Sequence, residues 1–121
     1  MKTTSQDIAE RLPRFFAAWE AAGEDLNADH AFIANFVGGD EVLVPTYRDL
    51  CEMGWQGDPP DGSGWIYMHG RAPLTRESVV TLAQKLEDVA TRHGSLFELL
   101  DVTVLQPNEF GSLPVLGATD A

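Results

Sequence analysis

Residues 75 to 94 carry the strongest helical signal in the chain and restrict the fold most. Thr75 stands where an N-cap belongs, its hydroxyl free to accept from an amide of the first turn. Val79, Leu82, Ala83, Leu86, Val89 and Ala90 then recur at the period of 3.6 residues, and Gly94 ends the run with a residue suited to a left-handed cap. Glu77, Thr81, Gln84 and Asp88 take the opposite face, with Asp88 and Arg92 spaced as an i,i+4 pair. Such a helix gains most of its stability by laying its apolar stripe on another element. Its neighbours supply that element: WIYMH (65 to 69) before it and SLFELLDVTVL (95 to 105) after it read as strands.

The rest of the chain repeats the alternation. Ile8, Leu12, Phe15, Phe16 and Trp19 form one face of a helix over residues 4 to 22, flanked by the i,i+4 pairs Asp7 with Arg11 and Glu10 with Arg14. Pro13 removes one backbone bond, so the helix is expected to kink there or to divide at Leu12. AFIANFV (31 to 37) alternates as a strand, and Gly38, Gly39 and Asp40 offer a turn. EVLV (41 to 44) then pairs back as a hairpin, followed by a short helix with Pro45 at its first position. The competing reading is one helix from Glu41 to Met53 capped by Asp40; Leu43, Tyr47, Leu50 and Cys51 suit it, and an interior Pro45 opposes it. QGDPPDGSG (56 to 64) is loop, and residues 106 to 121 are expected to be a tail for which Phe110 or Leu113 could serve as an anchor. The order α-β-β-α-β-α-β implies an α+β sandwich of two layers, a mixed or antiparallel sheet with helices packed on one face, in a single domain over residues 1 to 105.

A chain of 121 residues with 44% hydrophobic content can bury one core without metal or disulfide staples. MKTTSQD lacks the apolar core of a signal peptide, and no run is long enough to span a bilayer, so a soluble cytoplasmic protein is expected. The single cysteine, Cys51, fits a reducing compartment and a buried helical position. The net charge of −11 is regional: residues 15 to 70 hold ten acids against Arg48 alone. Such a surface repels nucleic acid and lipid head groups and attracts a basic macromolecule.

Residue spacing discloses no chemistry. His30, His69 and His93 are scattered, without the paired spacing of a metal site, and no cofactor or metal is expected. There is no G-x-S-x-G, and one cysteine with three dispersed histidines makes no nucleophile. The glycine-rich VGGDE and DGSGW have acidic neighbours and lack the lysine of a phosphate loop. On the strand at 65 to 69, Trp65, Tyr67 and His69 share one face and Ile66 and Met68 the other. With Ile66 and Met68 turned to the helices, an aromatic strip is left on the open face of the sheet, a composition enriched in interfaces. The tail is the other candidate to cover that face.

From residue 64 onward the chain reads as an apolar strand, then R-x-P-L-T-x-E-x-V (Arg71 to Val79), a long helix ending A-x-x-H-G (Ala90 to Gly94), and a closing strand. Together with AFIANFV and the helix end EMGW, this resembles the RraB-like family of regulators of ribonuclease E activity. The resemblance covers about residues 31 to 105. It implies a ferredoxin-like α+β fold and a small acidic inhibitor that is not an enzyme; no family site residue is carried over.

The function expected is therefore binding and inhibition or modulation of a basic nucleic-acid-handling protein, by a monomer or homodimer, through Asp49, Glu52, Trp55, Asp58, Asp61, Trp65, Tyr67 and His69. Direct contact with nucleic acid or membrane is not expected, and no catalytic residue is assigned. Two alternatives share the sequence features: an immunity or phage counter-defence protein that mimics nucleic acid with carboxylates, and a small hydrolase with a carboxylate and histidine site.

Overall fold

The computed structural model describes residues 3 to 103. Its elements run α1 (Thr4–Ala21), β1 (Asp29–Val37), α2 (Asp40–Glu52), β2 (Trp65–Pro73), α3 (Arg76–His93) and β3 (Leu96–Val102). The strands form an antiparallel sheet in the order β2-β1-β3, with His69, Ile33 and Asp101 in one row across it. Phe32, Ala34 and Phe36 of β1, Ile66 and Met68 of β2, and Phe97, Leu100 and Val102 of β3 are buried on one side. There they meet Ile8, Leu12, Phe15 and Trp19 of α1, Leu43 and Leu50 of α2, and Val79, Ala83, Leu86 and Val89 of α3. Period 2 in the strands and period 3.6 in the helices thus converge on one layer, giving the expected α+β sandwich with helices on a single face.

The order β3-β1-β2, with α2 and α3 as the connections, is compatible with a ferredoxin-like arrangement in which α1 is an addition and one edge strand has shrunk. That strand would run beside β2, between α2 and β2 in sequence. Its place holds only the bridge between Gln56 and His69, with amide-to-carbonyl distances of 2.9 and 2.6 Å. The loop after Gln56 stays close because Gly57 has no side chain: a Cβ there would collide with the Tyr67 carbonyl and lie 2.8 Å from the Met68 sulfur. Tyr47 of α2 donates its hydroxyl to the Gly57 carbonyl at 3.0 Å and ties the loop to the helix layer.

Several expectations are corrected. Residues 41 to 44 are not a hairpin strand but part of α2, which begins after Gly39 and runs through Pro45. The proline removes one bond in the second turn, a cost of about 3 kcal/mol in a helix interior. Burial of Leu43, Thr46 and Leu50 at i, i+3 and i+7 offsets it. Thr46 is fully buried, donates to the Val42 carbonyl at 2.7 Å, and lies 2.8 Å from the Ser95 hydroxyl, linking α2 to the start of β3. Pro13 does not divide α1 either; it is solvent-exposed, where water can satisfy the freed carbonyl. Thr3 caps α1 with a reciprocal Gln6 bond, and Gly94 takes φ 80° at the end of α3. Cys51 is exposed rather than buried. Residues 104 and 105 of the expected last strand, and the tail with Phe110 and Leu113, lie outside the described residues.

Candidate functional site

The sequence-selected residues fall into two grooves. Asp58 and Asp61 of the loop before β2 join Trp65, Tyr67 and His69 of β2 around a groove of about 570 Å³, with Gln56, Gly57, Pro59, Ser63 and Ile66 completing the wall. Asp49, Glu52 and Trp55 line a second groove of about 610 Å³, with Arg71, Lys85, Asp88 and Arg92. The acidic surface is thus not one patch. The second groove balances three carboxylates with three cations, whereas no Lys or Arg is found among the described residues lining the first.

The first groove exists because the edge strand is missing. Trp65 and Tyr67 stand two residues apart on one face of β2, their ring centroids 4.6 Å apart, and stay 47% and 49% exposed. Across from them the loop folds at Asp61, whose Oδ1 accepts from the Ser63 amide at 3.1 Å. Hydrogen bonds from the Ser63 side chain and amide hold the Asp61 carboxyl below its ordinary range, so it is ionised at neutral pH. Aromatic faces next to carboxylates that have no Lys or Arg partner among the described residues suit a cation carried on an apolar stem, which is the chemistry of lysine and arginine side chains.

Asp49 does not serve as a free carboxylate. His93 Nε2 donates to its Oδ2 at 2.7 Å and Arg92 Nη1 at 2.8 Å, clamping α2 to the end of α3. Arg92 therefore reaches Asp49 and not Asp88, which accepts from Gln84 at 2.9 Å instead. Trp55 is not an exposed anchor: it is 6% exposed, its ring seated on Gly70. The bond from His93, followed by the one from Arg92, lowers the Asp49 pKa. A carboxyl with a lowered folded value adds stability above the unfolded value of about 3.9, and that stability is lost as pH falls through the folded value. Asp49→Asn should accordingly cost about 1 kcal/mol at pH 7. In urea titrations across pH, the gap to wild type should close below the ordinary carboxylate range.

Sequence reasoning also missed a histidine–carboxylate pair. His30 Nε2 lies 2.9 Å from Glu24 Oε1, and its Nδ1 lies 2.7 Å from the Ala28 carbonyl. The Glu24 side chain is 2% exposed and that of His30 11%. With a carbonyl on one ring nitrogen and a carboxylate on the other, the imidazole holds the link between α1 and β1 in place and leaves no nitrogen facing a substrate. Neither large groove is lined by this pair. Among the described residues no group of three His, Cys, Asp or Glu is placed to hold a metal ion, and no helix is long and apolar enough to cross a membrane. No family model and no curated protein matches the chain.

Proposed function

We propose that the protein is a non-enzymatic binder acting in the cytoplasm, which docks the groove of Asp58, Asp61, Trp65, Tyr67 and His69 onto a basic nucleic-acid-handling protein and inhibits or modulates it. An RraB-like regulator of a ribonuclease is the form the sequence resemblance suggests. One observation carries the reading: a groove whose described charged residues are two carboxylates lies against two half-exposed aromatic rings. The carboxylates steer a basic partner in, and the rings supply desolvated contact once it has arrived. The balanced charges around Asp49 and Glu52 make the second groove the poorer surface for such a partner.

The test is cleavage by purified ribonuclease E with this protein added, together with stopped-flow association at rising salt. Cleavage should fall as the protein is added. Asp58→Asn with Asp61→Asn should slow association about tenfold at low salt and leave the fold intact. Unchanged cleavage, with no salt-sensitive association to that enzyme or to other basic nucleic-acid-binding proteins, would reject the proposal.

A further inference from the structure

The face of the sheet turned away from the helices carries more apolar surface than the groove uses. Four large hydrophobic side chains are exposed among the described residues, and three of them, Trp65, Tyr67 and Leu96, lie on this face. The register arranges them in rows. Trp65, Val37 and Leu96 form the first, Tyr67, Asn35 and Leu99 the second, and His69, Ile33 and Asp101 the third. The register shift beside Asn35 leaves Glu98 as an extra residue on β3, exposed next to Leu99. Across the matched rows the polar groups are segregated, with His69 on β2 and Glu98 and Asp101 on β3, while Asp29 stands beyond them at the start of β1. Neither the His69 ring nor the Asp101 carboxylate has an ionic partner among the described residues.

We infer that this face is the contact between two copies of the chain, related by a two-fold axis parallel to β1. That operation lays β2 of one copy over β3 of the other with rows matched: Trp65 meets Leu96, Tyr67 meets Leu99, and His69 meets Asp101. The match is isologous, so every favourable pair occurs twice. A two-fold axis perpendicular to the strands would set β2 on β2 and β3 on β3 with the rows reversed, so that His69 of one copy would no longer face Asp101 of the other. Partial burial already disfavours ionised Asp101 and raises its pKa, a cost that a hydrogen bond from the facing His69 ring N–H offsets. Strands of nine, nine and seven residues at about 3.3 Å per residue and about 4.8 Å spacing give roughly 400 Å² of face per copy, so the total falls below the roughly 1,000 Å² that marks a stable interface. The dimer is accordingly a weak one. It also shares Trp65 and Tyr67 with the groove, so self-association and a basic partner exclude each other on β2.

Sedimentation of the full chain from about 5 to about 500 µM should show a monomer–dimer equilibrium, the range expected for so small an interface. Because each copy carries a charge of −11, the dimer should tighten as salt rises, the reverse of the dependence expected for a basic partner. Leu96→Glu should abolish the dimer while leaving the groove of Asp58 and Asp61 untouched. Asp101→Arg and His69→Asp should each fail to self-associate, yet form a heterodimer when mixed, since arginine at 101 of one copy then faces aspartate at 69 of the other. A monomer at every concentration overturns the inference, as does a dimer indifferent to Leu96→Glu or an absence of rescue on mixing. A monomer whose Trp65 and Tyr67 resist hydroxyl-radical labelling would give the face to the chain's own residues 104 to 121 and overturn it equally.

Discussion

Gly70→Val should destabilise the protein by about 3 kcal/mol, a large share of the roughly 5 to 15 kcal/mol typical of a folded domain. Strand propensity alone predicts the opposite sign, because valine favours a strand interior and glycine weakens it. Packing decides. Gly70 pairs with Phe32 and faces the helix layer, where a Cβ would lie 2.6 Å from Cδ2 and Cε2 of Trp55. The obstacle is the body of a buried indole, not the end of a flexible side chain, and Trp55 cannot withdraw without giving up its burial. Trp55 is fixed in turn by its amide, which donates to the Leu50 carbonyl at 3.0 Å. Urea unfolding followed by far-ultraviolet circular dichroism measures the loss. In a double-mutant cycle, Trp55→Ala with Gly70→Val should cost clearly less than the two single changes added together, since the first removes what the second strikes. A neutral or stabilising Gly70→Val would mean that the indole does not sit on the glycine.

That contact illustrates what the sequence conceals. Nothing local marks Trp55 as buried; it follows an exposed helix end and precedes a loop rich in Pro and Gly, and its partner is a glycine with no side chain to signal contact. Asp49 is similar. Its neighbours in sequence suggest a free acid on a helix, and the two groups that neutralise it lie more than 40 residues away on α3. The Asp88–Arg92 spacing is locally sound but loses to the long-range partner, because Asp49 collects donors from two consecutive residues at once. Helix α2 is ambiguous for a different reason: EVLV suits a strand as well as a helix turn, and Pro45 tips the local balance toward the hairpin. Only the tertiary contacts of Leu43, Thr46 and Leu50 tip it back.

What is legible depends on periodicity sustained over a long segment or on a distinctive cap. The stripe of α3, its Thr75 cap and its Gly94 terminator read correctly, as does the apolar face of α1. The alternation on β2 also gives the right faces: Ile66 and Met68 are buried, while Trp65 and Tyr67 are half exposed. Five of the eight selected residues therefore gather in one groove, although the reason for that groove, the missing edge strand, is visible only in the topology.

The aromatic pair makes the sharpest functional prediction. Trp65→Ala with Tyr67→Ala should weaken binding of a basic partner about 100-fold, the loss of two central aromatic anchors, while lowering fold stability by no more than about 1 kcal/mol. The separation of the two effects follows from position. Both rings stand on the face of β2 opposite Ile66 and Met68, so their removal opens no cavity in the core; their ring centroids lie 4.6 Å apart. Titration of the partner against wild type and variant, with thermal unfolding of both, reads the two quantities side by side. Because self-association uses the same rings, Leu96→Glu is the necessary companion: it should remove the dimer and leave, or slightly improve, the partner's affinity. If the double variant unfolded as easily as it lost its partner, the rings would belong to the structure of the sheet and not to a docking surface. If it kept full affinity, recognition would rest on carboxylates alone, and the case for this groove over the rest of the acidic surface would fail.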